Sequence, residues 1–120
     1  MKIIVRFEHP FDGNGIFSSR LINGKYHDLS TSIIGQEIND RHKNMEPACY
    51  INGWDEDHFC AYSSIDQIHE WLTTKEIKFL ISEGFKILLL TVKHCIEADD
   101  QVLYLKDDIV QSNDITEIFN

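Results

Sequence analysis

Six histidines (His9, His27, His42, His58, His69 and His94) and three cysteines (Cys49, Cys60 and Cys95) are the side chains of this chain best suited to hold a metal. A metal site needs its ligands to converge within about 2.0–2.3 Å of one ion. Spacings such as HxxxH, HExxH or CxxC achieve that locally, and none of them occurs. Asp12-Gly13-Asn14-Gly15 opens like a calcium loop but lacks the later acidic ligands and the terminal glutamate. It reads instead as a tight turn, since glycine and asparagine tolerate positive φ. The nucleophile signature GxSxG and the phosphate-cradling GxxxxGK[ST] and GxGxxG are missing. The expectation is a protein without metal or cofactor.

The acidic residues are more informative. The chain has 11 Lys+Arg against 20 Asp+Glu, a formal net charge of −9. Residues 95–120 hold Glu97, Asp99, Asp100, Asp107, Asp108, Asp114 and Glu117 against Lys106 alone, which is six of the nine net charges. This balance argues against direct contact with nucleic acid, whose binders neutralise phosphates with Lys and Arg. Asp99-Asp100 and Asp107-Asp108 flank the apolar stretch 101–105. Charges there solubilise a strand edge, and they also attract a basic partner, such as a protein whose own groove expects phosphates. A second acidic run, Asp55-Glu56-Asp57, follows Trp54. An exposed tryptophan is a strong interface anchor. The expected partner-binding residues are therefore Trp54, Asp55, Glu56, Asp57, Asp99, Asp100, Asp107 and Asp108.

The elements that must position them follow from pattern and caps. Residues 2–8 are mostly β-branched or aromatic and predict a strand. His9-Pro10 ends it. Ser30 or Thr31 is placed to cap a short helix through Ile33, Ile34, Glu37 and Ile38. Residues 46–57 read as an exposed connection, and 59–62 as a short strand. Ser64 to Gln67 and Thr73 to Glu76 each have capping-box spacing, and Gly84 is a helix stop. Ile65, Ile68, Trp71 and Leu72 give the first of these helices an apolar stripe, so Trp71 is expected in the core. Residues 85–92 contain the run Ile87-Leu88-Leu89-Leu90 and predict a central strand covered on both faces, with Leu89 buried. Residues 101–105 form a further strand.

With 120 residues, 42% of them hydrophobic and 11% aromatic, the chain can bury one core. The predicted architecture is a single α+β domain over 1–120, a mixed β-sheet with helices packed on one side. An odd cysteine count without CxxC favours a reducing cytoplasm. No stretch approaches the roughly 20 apolar residues that span a bilayer, so no membrane contact is expected.

Several blocks resemble a family of small phage and prophage proteins. Arg6-Phe7-Glu8-His9-Pro10 followed by Gly13-Asn14-Gly15-Ile16-Phe17 is similar to its opening, in which a strand ending in Arg-x-Glu precedes a glycine turn and an aromatic. Residues 59–67 with Trp71, then Gly84-Phe85-Lys86-Ile87, then Gln101-Val102-Leu103-Tyr104, resemble its later blocks. The resemblance implies a phage-encoded accessory protein acting in the cytoplasm of an infected host cell. Many such small acidic proteins inhibit host defence, anti-CRISPR proteins among them. The function so implied is inhibition of a bacterial defence system by acidic-surface binding. The partner would be a host defence protein or ribonucleoprotein complex with a basic surface.

The layout also resembles the ADP-ribosyltransferase fold, in which a first-strand Arg or His and a Ser-Thr-Ser element hold NAD and a late-strand Glu directs transfer. On that alternative Arg6 and Ser30, within Ser30-Thr31-Ser32, take the first two roles. Gln101 stands in the late strand in place of Glu-x-Glu. The alternative activity would be modification of a host protein with NAD.

Overall fold

The computed structural model describes residues 1–9 and 32–119 in full, and between them the backbone of 20–22 and 25–27. Its strands are β1 (Lys2–Glu8), β2 (Arg20–Ile22), β3 (Lys25–His27), β4 (His58–Ala61), β5 (Lys86–Val92), β6 (Ile96–Glu97), β7 (Val102–Leu105) and β8 (Ile109–Asp114). The helices are α1 (Ile33–His42), α2 (Ile65–Trp71) and α3 (Thr74–Ser82), with 3-10 turns at Ala48–Tyr50, Lys106–Asp108 and Thr116–Phe119. The α+β class read from the sequence is the one observed. The sheet itself differs from a mixed one. Every described pairing is antiparallel, giving two three-stranded sheets, β1-β5-β8 and β4-β7-β6, and the β2-β3 hairpin. A parallel neighbour needs a crossover that returns the chain to the strand's starting end. Here α3 instead delivers the chain to the finishing end of β1, where Glu8 pairs with Lys86.

That delivery depends on Gly84. Its φ of +100° closes α3, with Gly84 N–H donating to the Ile81 carbonyl (3.0 Å) and Phe85 N–H to that of Leu80 (3.1 Å). This is the paired-bond helix stop in which a left-handed residue satisfies the last carbonyls. The start of α3 is equally explicit. Thr73 Oγ1 accepts the Glu76 N–H (3.1 Å) while Glu76 Oε1 accepts the Thr73 N–H (2.8 Å), completing the predicted box. At α2 the box is altered: Ser64 Oγ caps the Gln67 N–H, but Gln67 Oε1 takes the N–H of Ser63 (2.7 Å). The cap of α1 is Ser32, whose Oγ accepts the Gly35 N–H (2.9 Å). This corrects the expected Ser30 or Thr31, both of which lie outside the described residues, as does the Asp12–Gly15 turn.

Side chains on β5 alternate between two cores. Ile87 joins Val5, Phe7, Ile38, Ile68, Leu72, Ile77, Leu80 and Phe85 beneath the helices. Leu90 and Val92 join Ile4, Ala61, Val102 and Tyr104 against the second sheet. The apolar run of β5 is thus covered on both faces, as its composition predicts. Leu88 and Leu89 are the exceptions: both are only half-buried, Leu88 at the margin of the inter-sheet core and Leu89 at that of the helix-side core, where full burial was expected. The deepest positions on the strand are Ile87, Leu90 and Val92. The sheets are stitched together by Val5 and Tyr62, which exchange backbone hydrogen bonds of 2.9 and 2.8 Å.

Candidate partner-binding face

β7 turns Val102 and Tyr104 toward the first sheet. By alternation Gln101, Leu103 and Leu105 belong to the outer face of the second sheet. Over that face lies the 46–57 connection, held at several points. Gln101 Nε2 donates to the Glu46 carbonyl at 2.7 Å. Ile51 is buried. Gly53, at φ +93°, sits so close to β6 that a Cβ would lie 3.0 Å from Ile96 Cδ1. Farther along, Asp55 Oδ1 accepts the Asp57 N–H (2.9 Å), and the chain enters β4, where His58 pairs with Leu105.

The connection therefore starts at the Gln101 end of β7 and finishes at its Leu105 end. This path carries it from one acidic pair to the other. Asp99 is exposed and Asp100 half-buried at the first end; Asp107 is exposed and Asp108 half-buried at the second. The Asp99 carbonyl accepts from Gln67 Nε2 (3.1 Å) and the Asp108 carbonyl from Lys93 N–H (2.9 Å), so both pairs stand on fixed backbone. Asp55, Glu56 and Asp57 are exposed on the stretch that runs from Gly53, against Ile96, to His58, opposite Leu105, and Trp54 is 37% exposed. Two groups separate in the sequence thus border one surface. Sequence reasoning missed Tyr50, which is 75% exposed on the same connection. Its signal was a second aromatic, three residues after Pro47, in a stretch read as an exposed connection.

The residues of the alternative catalytic set are placed differently. Arg6 is buried between the sheets, with Nη1 donating to the Cys60 carbonyl (2.6 Å) and Nε 3.4 Å from Glu8 Oε1. Its guanidinium lies 5.1 Å from the Phe59 ring centre and 5.9 Å from that of Tyr104, a cation–π clamp between sheets. Gln101 is buried on the opposite face of the second sheet, where it secures Glu46. Arg6 and Gln101 are therefore not brought together, and Ser30 lies outside the described residues. No cluster of His, Cys, Asp or Glu among the described residues could hold a metal. No described helix is long and apolar enough to cross a membrane.

At the last residue of α1, in the helix-side core, is a buried polar network. His42 Nδ1 is 2.9 Å from the Ile38 carbonyl, so that nitrogen carries the proton; Nε2 then accepts the Tyr62 hydroxyl at 3.0 Å. Burial holds the His42 pKa below the ordinary histidine range, outweighing the Ile38 carbonyl, and pushes the Tyr62 hydroxyl well above its usual value. The sign of the pH effect follows. Between the lowered native pKa and the unfolded value of about 6.5, the unfolded chain binds the proton and the native one does not. This contribution is full above about pH 6.5 and is lost as pH falls through the native pKa. Urea unfolding at pH 7.5 and 5.5 should show the loss, and His42→Gln should flatten the dependence. An equal slope in both proteins would take His42 out of the linkage.

In comparison with known proteins, residues 1–117 match the family model described as Bacteriophage T4 Y00F protein. No curated protein and no solved structure matches the chain.

Proposed function

We propose, from the premise that the chain belongs to the bacteriophage T4 Y00F protein family, that this phage-encoded accessory protein inhibits a host defence system by binding it. The bound target is a protein or ribonucleoprotein complex with a basic surface, in the manner of anti-CRISPR proteins. One observation carries this reading: the 46–57 connection crosses the second sheet from Gln101 to Leu105, along the strand that the two aspartate pairs flank, with Trp54 and its acidic run exposed on it. Aromatic anchors within an acidic border suit a basic protein surface, because the aromatics supply contact energy and the charges steer approach. Backbone held by Gln67, Gln101 and Lys93 reduces the ordering cost of binding. The NAD-dependent alternative needs Arg6, Ser30 and Gln101 in one cleft, and no observation favours that convergence.

Changing Asp99, Asp100, Asp107 and Asp108 together to Asn tests the reading. Stability should change little, because Asp99 and Asp107 are exposed and Asp100 and Asp108 keep partial contact with water, and charges so placed contribute about 0–1 kcal/mol each. Association with the host protein recovered from infected cells should slow and lose much of its salt dependence. Plating of sensitive phage on a defended host expressing the variant should fall in parallel. Wild-type association rates at both low and high ionic strength would reduce these aspartates to solubilising charges. A thermal shift with NAD would instead support the enzymatic alternative.

A further inference from the structure

β8 is the outer strand of the first sheet, and one of its edges has no strand neighbour among the described residues. Residues 110–114 are exposed, so neither the helices nor the second sheet covers them. The backbone groups facing the open side can be assigned. Ile115 N–H donates to the Ile87 carbonyl at 2.9 Å. Hydrogen-bonded and non-bonded rungs alternate in an antiparallel ladder. Counting back from Ile115, Asn113 (opposite Leu89) and Gln111 (opposite Thr91) exchange bonds with β5. Ser112, opposite Leu90, therefore points its N–H and C=O outward.

Natural edges are blunted by lysine, proline or bulges. Residues 109–114 contain no lysine and no proline. The one irregularity leaves Val110 without a β5 partner, at the start of the strand, and Gln111 to Asp114 follow in regular register.

We propose that this edge receives an extended segment of the partner as an added antiparallel strand, and that the segment carries basic residues toward its ends. The inference rests on the reading that the partner is basic and adds how it is gripped. Charge selects the occupant. Asp107 and Asp108 precede the strand and Glu117 follows it, while its centre is uncharged. A second copy of the chain fits poorly. Two-fold pairing through Ser112 would bring Asp107 of one copy toward Glu117 of the other at both ends, with a net charge of −9 on each. Lysines or arginines at those ends meet acids instead. Main-chain bonds then supply affinity, and the end charges choose the segment.

The test uses a short synthetic peptide with alternating Thr and Val at its centre and two Lys at each end, titrated into the isotope-labelled full chain and followed by amide NMR. Shifts should concentrate on residues 109–114. They should disappear when the peptide's central amides are N-methylated, and when its lysines are replaced by glutamates. Ser112→Pro removes the outward N–H without breaking a bond to β5. That variant should keep its spectrum and lose the response, and Asp107→Asn with Asp108→Asn should weaken binding several-fold.

Shifts at 46–57 with β8 silent, or a β8 response that survives N-methylation or Ser112→Pro, would overturn the edge inference and leave the acidic face standing. Equal binding of the glutamate peptide would overturn the charge selection. A β8 response to protein concentration alone would make a second copy the occupant and overturn the proposal. No shift anywhere at millimolar lysine peptide would count against both readings.

Discussion

Replacing Phe85 with alanine should destabilise the protein by about 3–5 kcal/mol, the usual cost of deleting a buried aromatic ring. Phe85 is among the largest fully buried side chains. It follows the Gly84 helix stop and packs in the same core as Leu80, whose carbonyl takes its N–H. Its ring also meets His9 edge-on, with centres 5.2 Å apart, just beyond the end of β1. The side chain thus occupies the point where α3 is handed to β5, and its removal leaves a cavity beside the helix stop. Urea unfolding should report the loss as a lower midpoint with an unchanged slope. Leu89→Ala, at the half-buried position on the same strand, should cost clearly less. If the two substitutions cost the same, the division of β5 into deep and marginal positions is wrong.

Arg41→Met should cost about 3 kcal/mol at neutral pH, the lower end of what removing one partner of a buried ion pair costs. The lower end applies because Arg41 keeps contact with water while its partner does not: their side chains are 36% and 2% exposed. Glu76 is the group at risk. Burial works to raise its pKa, but the hydrogen bonds from Arg41 and Thr73 overcome this and hold the carboxyl below its ordinary range. Arg41 Nη1 also donates to the Trp71 carbonyl (3.0 Å), so one guanidinium ties α1 to the junction of α2 and α3. The wild-type pair contributes stability above the unfolded carboxyl pKa of about 4.3, and this is lost as pH falls through the lower native value. Without Arg41, burial raises the Glu76 pKa, and the neutral acid forms more readily. The difference between variant and wild type should therefore be largest near pH 7 and shrink below about pH 4. A difference independent of pH would mean that Arg41 acts through packing alone.

Several features of the site region were invisible in the sequence for identifiable reasons. β8 reads Ile-Val-Gln-Ser-Asn-Asp, without apolar alternation, because an exposed edge strand buries neither face and leaves no periodic signature. Ser30-Thr31-Ser32 offers three consecutive hydroxyls, each able to cap a helix, so local chemistry could not choose Ser32. Arg6 reads as a polar residue available for catalysis. It becomes a structural cation only because the second sheet, far along the chain, brings the paired residues Phe59 and Tyr104 against it. The 46–57 connection reads as exposed, and most of it is; that it overlies a sheet depends on Gln101, Ile51 and Gly53.

Much of the scaffold is determined by the sequence alone. The span of β1, the central place of β5 in its sheet, the box at Thr73 and the stop at Gly84 all follow from residues within a turn or two of one another. Caps and side-chain alternation act over those distances, so neighbouring residues suffice to specify them. Only the tertiary structure decides that the sheets are antiparallel, that Leu89 is marginal while Ile87 is deep, and that Glu76 has Arg41 as its partner. It alone also lays the connection that carries Trp54 and its acidic run across the sheet whose middle strand the two aspartate pairs flank. Each of these depends on which distant segments meet, and that outcome is set by the packing of the whole chain, which no local window contains.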